Sequence, residues 1–395
     1  MSDYFDVVVI GGGMAGLSSA YALRHSVKSL LVCEQYDCGN KWGSSVGLSR
    51  MYRQMYSDPY YCSVAKISNE LWAKLEDEAR QPLRQEHGLV FYGEDWGEET
   101  IEGSIARAKE VMQEQGIQFE ELSSAKLSER WPLRTKPQWW GLFEPTAGTI
   151  LAKNTLDFWS DGVVKSGHEI RCGCKVQDVR EKELVEVTFS DGTHILAGQC
   201  ILAAGPWSRR FVESMGHRLH LEIWHMLWAH YSVDPARAQD YPQWFCFQKK
   251  DKDDIDQGLY YGFPCLDTGE DGAKRIKVGI DWAPASLRTP DFDETRPLSV
   301  PPDLLATMDR FVFDFLDGIL ERTDVHLNPY TMSPDVGFVL DKLSERVTLF
   351  SHGAGQAYKF APVIGESLKR LVLDESPLID LAPWSVSRPS IRMEN

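Results

Sequence analysis

The chain has 395 residues, of which 43% are hydrophobic and 25% are charged, a composition typical of a globular protein with two domains. Its formal net charge is −16, and no cluster of Lys and Arg is long enough to form a basic patch. Because an acidic surface repels a phosphate backbone, these features exclude nucleic acid as the partner.

The eight cysteines show no C-x-x-C pair and no other spacing typical of a metal site. We therefore expect reduced thiols and no bound metal, as in a cytosolic protein. The N-terminus leads directly into an apolar strand instead of a signal peptide, and no apolar stretch reaches the ~18 residues that a membrane span needs. The prediction is a cytoplasmic protein with no membrane partner.

The first predicted elements form a single motif. An apolar run at residues 7–10 leads into the sequence GGGMAG at residues 11–16, and Glu34 follows a second apolar run at residues 29–33. This order predicts a strand, a glycine turn, a helix and a second strand that ends in an acid, the arrangement that binds a dinucleotide. A glycine turn that serves packing alone is the alternative.

Each position of the motif has a physical role in this interpretation. Gly11 permits the tight turn, Gly13 lets the backbone approach a pyrophosphate, and Gly16 lets the helix pack closely against the strand. Met14 and Ala15 begin the helix whose N-terminus faces the phosphates. Glu34 is expected to bind a ribose hydroxyl.

Further elements follow in chain order. Helices are predicted over residues 65–78, 100–115, 153–164, 304–320 and 362–373. Strands are predicted over 88–93, 169–174, 186–189 and 347–350, and from 199 to a small-residue turn at Gly205; alternating aromatic and polar residues over 219–282 predict a sheet. The small-residue turn and the long chain behind the first motif favour FAD over NAD.

The predicted fold class is α/β with two domains. A discontinuous FAD-binding Rossmann-like domain is expected from residues 1–86, 150–217 and 326–383. A substrate domain with a mostly antiparallel sheet is expected from residues 87–149 and 218–325, and the active site should lie between the two.

Several ordered motifs give the chain a family resemblance. They are GSS at 43–45, SRMYR at 49–53, LFEPTAG at 142–148, YGFP at 261–264, YTMSPD at 330–335 and GAGQAYKF at 353–360. With the opening motif, they resemble the monomeric sarcosine oxidase group of FAD amine oxidases, which includes N-methyltryptophan oxidase and pipecolate oxidase. WFCFQ at 244–248 and GAG at 353–355 are most similar to the piperideine-2-carboxylate oxidase of the nikkomycin pathway. The resemblance implies an FAD domain of the glutathione-reductase/p-hydroxybenzoate-hydroxylase type.

The resemblance also implies roles for matched residues. Arg53 and Lys359 match the pair that holds the substrate carboxylate. The alternatives are a solvated Arg53 with a surface Lys359, and structural ion pairing in place of substrate binding. Arg50 matches a catalytic residue beside the flavin ring, with a salt bridge as its alternative. Tyr261 and Gln356 are expected to contact the substrate. The remaining implied cofactor contacts are Ser44, Ser45, Arg50, Val176, Gly205, Trp207, Gly353, Gly355 and Lys359.

Two further catalytic residues are implied on one predicted strand. Lys277 matches the lysine that faces flavin N5 and activates oxygen, although Lys274 and Arg275 are nearby competitors. Sarcosine oxidases have a His four residues later, where this chain has Asp281. The aspartate is expected to hold the substrate ammonium or accept its proton, and a strand-end cap is the alternative.

A last departure concerns the attachment of the flavin. The Cys through which the family links its flavin falls at Asn328, and an amide has no thiolate to attack the ring. The sequence therefore predicts that FAD is bound non-covalently. The resemblance implies a monomeric oxidase that converts a secondary or cyclic amino acid to an imine while O2 becomes H2O2. The alternatives are primary-amine oxidation of the glycine or D-amino-acid oxidase type, and a non-catalytic FAD-binding scaffold.

Overall fold

A computed structural model of the chain describes residues 3–45, 47–95, 100–249, 258–268 and 272–393. Parts of the predicted sheet at residues 250–257 and 269–271 lie outside the described residues. The strands are β1 (Tyr4–Ile10), β2 (Leu30–Cys33), β3 (Ser49–Tyr52), β4 (Arg84–Glu86), β5 (Leu89–Gly93), β6 (Glu120–Ser123), β7 (Trp140–Glu144), β8 (Gly148–Leu151), β9 (Glu169–Arg171), β10 (Val176–Glu181), β11 (Val185–Phe189), β12 (His194–Leu202), β13 (Glu222–Val233), β14 (Gln243–Phe247), β15 (Leu259–Thr268), β16 (Lys274–Ile280), β17 (Arg288–Thr289), β18 (Ile319–Met332), β19 (Val339–Lys342) and β20 (Val347–Ser351). The helices are α1 (Met14–Leu23), α2 (Pro59–Ala79), α3 (Ile105–Glu114), α4 (Ser124–Arg130), α5 (Ala152–Lys165), α6 (Ser208–Ser214), α7 (Pro302–Phe315) and α8 (Ala361–Val372).

The first sheet has the strand order β10-β11-β12-β1-β2-β9, with β20 beside β12 and β19 beside β20. The strands β9, β2, β1, β12 and β20 run parallel to one another. Because parallel strands are covered on both faces, they are continuous apolar runs, as in the fully buried β2. Helix α1 packs against both α5 and α8. The α/β class predicted from the sequence is confirmed.

The second sheet has the order β17-β13-β16-β15-β14-β5-β7-β6. Strand β18 also pairs with β13, along its whole length. All its described pairs are antiparallel except β5 with β14. A third sheet, β3-β8-β4, carries Arg50 within β3 and presents Arg53 directly after it. None of the described helices is long and apolar enough to cross a membrane.

Strand β18 differs from the prediction. The helix expected over residues 304–320 ends at Phe315, and a turn at Gly318, whose φ is +78°, leads into a strand that pairs with β13 from Ile319 to Met332. Only glycine adopts this φ without strain, so the turn ends the helical segment here. The expected domain boundary at residue 326 therefore falls inside a strand of the second sheet. The two-domain division itself stays a prediction.

Candidate active site

A cavity of about 550 Å³ opens where the parallel strands of the first sheet end. The carboxyl ends of parallel strands meet at one edge, which is the usual position of a ligand in an open α/β sheet. Gly16 and Lys359 lie outside the lining of this cavity. The predicted cofactor contacts that line it are Gly11, Gly13, Met14, Ala15, Glu34, Ser44, Ser45, Arg50, Val176, Gly205, Trp207, Gly353 and Gly355.

Two glycines of the first motif are required by close backbone contacts. Gly11 has a φ of +109°, and a Cβ there would overlap the carbonyl oxygen of Ala203 at the end of β12. A Cβ on Gly16 would overlap the carbonyl oxygen of Gly11, so α1 lies directly on the turn. The backbone is thereby held at the edge of the cavity, and the packing role predicted for Gly16 agrees with its position.

The acid of the motif is buried beside the glycine turn. One carboxylate oxygen of Glu34 accepts a hydrogen bond from the backbone N–H of Gly12 at 2.9 Å, and the other accepts from the N–H of Tyr36 at 3.0 Å. The N–H of Met14 donates to Ser45 Oγ at 2.9 Å. A cavity that combines a glycine turn, a helix N-terminus and a buried carboxylate fits the phosphates and ribose of FAD.

A disulfide beside this cavity corrects the expectation that all thiols are reduced. Cys38 and Cys172 are bonded, with their Cα atoms 5.6 Å apart, although the two residues are 134 positions apart in sequence. Cys172 directly follows β9, and Cys38 lies in the loop after the neighbouring parallel strand β2. Pattern reading missed the pair because only strand pairing brings these two loops together.

Arg50 lines the cavity, and Lys277 is near enough to Arg50 to be affected by its charge. Arg50 donates to the carbonyl oxygens of Ser44 at 2.5 Å and Ser49 at 2.7 Å. Lys277 is half-buried, with its Nζ 4.5 Å from the ring centroid of Trp228 and 5.0 Å from that of Phe263. Desolvation and then the positive charge of Arg50 lower the pKa of Lys277 well below its ordinary value. The sequence-predicted alternation is observed, since Ile276 and Val278 are fully buried.

Arg53 is buried and paired with an acid that the sequence did not indicate. Its Nη2 donates to Glu102, and its guanidinium carbon lies 5.0 Å from the ring centroids of both Phe91 and Phe245. Burial alone would lower the pKa of Arg53, but the charge of Glu102 holds it above its ordinary value. The structural ion pair that the sequence left as an alternative is therefore present, although with Glu102.

The backbone at Arg53 is held by Glu144, another buried acid. Its carboxylate accepts from the N–H groups of Gln54 at 3.0 Å and Met55 at 2.9 Å. Burial raises the pKa of Glu144 to about 7, although these hydrogen bonds act in the opposite direction. Glu144 belongs to the LFEPTAG motif, and the structure gives this residue a positioning role.

Lys359 and Arg53 both lie near the ring of Tyr56. The Nζ of Lys359 is 5.6 Å from the ring centroid of Tyr56, and the guanidinium carbon of Arg53 is 4.7 Å from that centroid. The carbonyl oxygen of Lys359 accepts from Ser68 Oγ at 2.6 Å and Trp72 Nε1 at 2.9 Å, so α2 fixes its backbone. Burial, with the charge of Arg53, lowers the pKa of Lys359 to about 7.

Asp281 completes a charge cluster, defined here as Arg53, Glu102, Asp281 and Lys359. Burial holds the pKa of Asp281 well above its ordinary value, and the charge of Glu102 and a hydrogen bond with it act in the same direction. Arg53 and Lys359 oppose this shift. Among the described residues, neither Asp281 Oδ2 nor Arg53 Nε has a hydrogen-bond partner.

The other predicted residues are Tyr261, Gln356 and Asn328, and the charge of Asp281 acts on Tyr261. Tyr261 is buried and hydrogen-bonds to Tyr330, which lines the cavity. Gln356 is half-buried in the turn before Lys359, where its N–H donates to the carbonyl oxygen of Gly353 at 2.9 Å. Asn328 is half-buried on β18, and the carbonyl of the following Pro329 accepts from Ser44 Oγ.

Glu102 is the main residue that sequence reasoning missed. It falls within the charged helix predicted over residues 100–115, but α3 begins only at Ile105. Glu102 instead lies in a turn closed by paired backbone hydrogen bonds between Thr100 and Gly103. Nothing in the local pattern distinguishes it from the other acids of that segment.

The fold and the cavity define a dinucleotide-binding protein, and the charges of Asp281 and Glu102 act on Tyr330 in the lining of the cavity. Residues 6–371 match the family model described as DAO, FAD dependent oxidoreductase. The chain belongs to this family of FAD-dependent oxidoreductases, and the predicted cofactor FAD and the predicted enzyme class are confirmed.

Individual relatives are similar over nearly their whole length. The peroxisomal sarcosine oxidase of Mus musculus is 28% identical over 397 residues, which cover 98% of this chain and 97% of that protein. The N-methyl-L-tryptophan oxidase of Yersinia pestis (strain Pestoides F) is 26% identical, with 97% and 99% covered. The open form of NikD, an amino acid oxidase of nikkomycin biosynthesis, has a TM-score of 0.87 at 23% identity and full coverage of both chains. The predicted fold and family resemblance are confirmed.

Proposed function

We propose that the protein oxidises a secondary or cyclic amino acid to an imine, while O2 is reduced to H2O2. One observation carries this proposal: the charge cluster contains a buried donor, Arg53 Nε, with no acceptor, and a buried acceptor, Asp281 Oδ2, that receives no hydrogen bond from an N–H or hydroxyl group of the described residues. A buried polar group left unpaired costs about 1–3 kcal/mol. An amino acid supplies both missing partners, a carboxylate for Arg53 and an amine for Asp281.

Arg53 and Lys359 together would bind the carboxylate. Arg53 already donates from Nη2 to Glu102, so its Nε edge is the part that a substrate carboxylate can contact. Lys359, which is an ammonium below about pH 7, adds a second positive charge near the ring of Tyr56. The clamp and the ion pair with Glu102 are therefore compatible, because they use different atoms of one guanidinium.

Asp281 would remove a proton from the substrate nitrogen. Its hydrogen bond with Glu102 requires one proton between the two carboxyl groups. A pKa above the ordinary value makes Asp281 a stronger base than an ordinary aspartate, so Oδ2 can accept the proton that the substrate ammonium must lose. The nitrogen lone pair is then free to form the C=N bond as the neighbouring C–H bond breaks.

Bound FAD would supply the two-electron redox chemistry that links oxidation of that carbon to the reduction of O2 to H2O2. When its amine carries a proton, Lys277 would supply positive charge to the oxygen reaction from an aromatic setting where a charge is weakly screened. Arg50, whose guanidinium is held by two carbonyl groups, would stand beside the flavin ring.

The relatives support the substrate class. Sarcosine and N-methyl-L-tryptophan, in the names of the two oxidases above, are both N-methyl amino acids and therefore secondary amines. Because sarcosine oxidases have a His where this chain has Asp281, we propose a substrate other than sarcosine. We also propose that FAD is bound without a covalent link, that O2 is the acceptor, and that the protein is a cytoplasmic monomer.

Anaerobic reduction of the flavin by a panel of amines tests the proposal. N-methyl and cyclic amino acids should bleach the visible flavin absorbance, whereas their amides, which lack the carboxylate, should react far more slowly. Admission of air should then restore the absorbance with one H2O2 per imine. If primary amino acids alone bleach the flavin, or if amides and acids react equally, the proposed substrate class is wrong.

A further inference from the structure

Three side chains with metal-binding atoms converge on the second sheet, apart from the charge cluster. His230 lies on β13, and its cross-strand partner Asp324 lies on β18 with His326. The Nδ1 of His230 is 3.0 and 2.9 Å from the two carboxylate oxygens of Asp324, and the Nε2 of His326 is 3.3 Å from Oδ1. One ligand atom from each of the three residues lies within 4.8 Å of the others.

These distances are close to those of a coordination sphere. Zn²⁺ binds imidazole nitrogen and carboxylate oxygen at ~2.0–2.2 Å, so two ligands of one ion are separated by at most about 4 Å. Closure of the group around an ion therefore needs only small side-chain rotations. Two imidazoles and one carboxylate favour divalent ions of the zinc, nickel and copper type over Mg²⁺ or Ca²⁺, which prefer oxygen ligands.

The surroundings hold these ligands in place and leave access for an ion. The ring of Trp228 stacks on His326 with a centroid distance of 4.1 Å and an interplanar angle of 17°. The backbone N–H of His230 donates to Asp324 Oδ1 at 3.1 Å. The side chains of His230, Asp324 and His326 are 27%, 40% and 45% exposed, so an ion can enter from solvent. Neighbouring groups that fix the orientation of ligands strengthen metal binding.

We propose that His230, Asp324 and His326 bind one divalent transition-metal ion of the zinc class, with water at the remaining positions. The sequence spacing predicted no metal site because His230 is 94 residues from Asp324, and only the pairing of β13 with β18 joins them. The proposal is independent of the amine substrate. The alternative is a His–Asp–His group that is hydrogen-bonded but takes no metal.

Zinc binding to the FAD-loaded protein tests the proposal. Protein freed of metal with a chelator is dialysed against Zn²⁺, and bound zinc is counted by mass spectrometry. The wild type should hold one zinc ion, and His326→Gln and Asp324→Asn should each weaken its binding by more than the roughly 10–100-fold lost when only a group that orients a metal ligand is removed. His194→Gln removes an exposed histidine on β12 and should change nothing.

Copper distinguishes the ligands directly. With Cu²⁺ in place of Zn²⁺, electron paramagnetic resonance should show two coordinating imidazole nitrogens in the wild type and one in His326→Gln. An unchanged flavin spectrum and melting temperature would show that the variants fold. Equal zinc binding by the wild type and both ligand variants, or no binding by the wild type, would overturn the proposal and leave the hydrogen-bonded group.

Discussion

The cavity at the edge of the first sheet takes its form mainly from the backbone, whereas the charge cluster takes its chemistry from side chains. The cavity depends on two glycines where no Cβ can fit, on backbone N–H groups and on one carboxylate. The cluster balances two cations against two acids, drawn from four separate segments of the chain. Shape therefore limits substitutions in the first region, and charge balance limits them in the second.

The largest effect on cofactor binding is expected from Gly16→Val. A side chain at this position overlaps the backbone of Gly11, so α1 has to move away from β1. Overpacking of this kind costs about 1–3 kcal/mol or more, and the displaced helix can no longer bind the phosphates. The purified protein should lose its FAD and melt at a lower temperature. Gly116→Ala, in an exposed turn with no atom within 4 Å of a new Cβ, should keep the cofactor. Full FAD occupancy in Gly16→Val would contradict the role of the glycine.

The charge cluster should respond to Arg53→Met with a loss of both stability and substrate binding. This change leaves the buried carboxylate of Glu102 without its partner, which costs about 3–5 kcal/mol. The double variant Arg53→Met/Glu102→Gln removes both charges and should recover most of that loss. The KM for carboxylate substrates should stay raised roughly ten- to a hundredfold in the double variant. Chemical denaturation and steady-state kinetics separate the two roles, and a normal KM would mean that Arg53 serves only the ion pair.

The two regions also differ in how far the sequence predicts them. The strand, turn and helix of the cavity are contiguous, so hydrophobic runs and glycine spacing identify them, and Gly11, Gly16 and Glu34 lie where the pattern places them. The burial of the two neighbours of Lys277, Ile276 and Val278, likewise follows from the alternation along a strand. Contacts between distant segments leave no local pattern, which is why the pairing of Arg53 with Glu102 was not foreseen.

Strand pairing explains the remaining differences. The disulfide of Cys38 and Cys172 depends on the adjacency of β2 and β9, and no spacing rule applies to two cysteines 134 residues apart. The sequence predicts a helix up to residue 320 and a segment of the cofactor domain from residue 326, so it does not predict β18. Its pairing with β13 decides its conformation.

Lys277→Met should separate the oxygen reaction from substrate oxidation. The proposed role of the ammonium is to stabilise negative charge during oxygen reduction, and removal of one such group typically slows a step by roughly a hundredfold. Rapid mixing of the reduced variant with oxygen should show this loss, whereas anaerobic reduction by substrate should change little. Lys274→Met, on the same strand, is the control. Reoxidation of Lys277→Met at the wild-type rate would show that Lys277 does not assist the reaction with oxygen.

The pH dependence of KM tests Lys359. Burial and Arg53 lower its pKa to about 7, so the folded protein loses this charge as the pH rises through 7. KM for a carboxylate substrate should rise about tenfold between about pH 6 and pH 8, and Lys359→Arg should flatten this change, because a guanidinium stays charged.

Substrate affinity should fall as the pH rises, whereas the contribution of Lys359 to the stability of the protein should increase. An unfolded lysine keeps its proton to about pH 10, so the unfolded chain binds more protons than the folded chain between about pH 7 and 10. The contribution of Lys359 to the free energy of unfolding therefore increases with pH in this window, and Lys359→Met should remove that contribution. A KM profile shared by the wild type and Lys359→Arg would contradict the assignment.

The smallest effect concerns Asn328, where the expected change is in attachment and not in rate. Asn328 lies beside Pro329, whose carbonyl accepts a hydrogen bond from Ser44 in the lining of the cavity, so the segment adjoins the cavity but carries an amide in place of a thiol. An amide cannot form a thioether, and acid precipitation should therefore release all the yellow colour into the supernatant.

Asn328→Cys restores the sulfur at the same place and should retain part of the flavin in the pellet, with little change in folding. Because the two proteins differ only in this side chain, a coloured pellet from the wild type would show that another residue makes the link. Release from both would show that the position of the sulfur alone does not produce attachment.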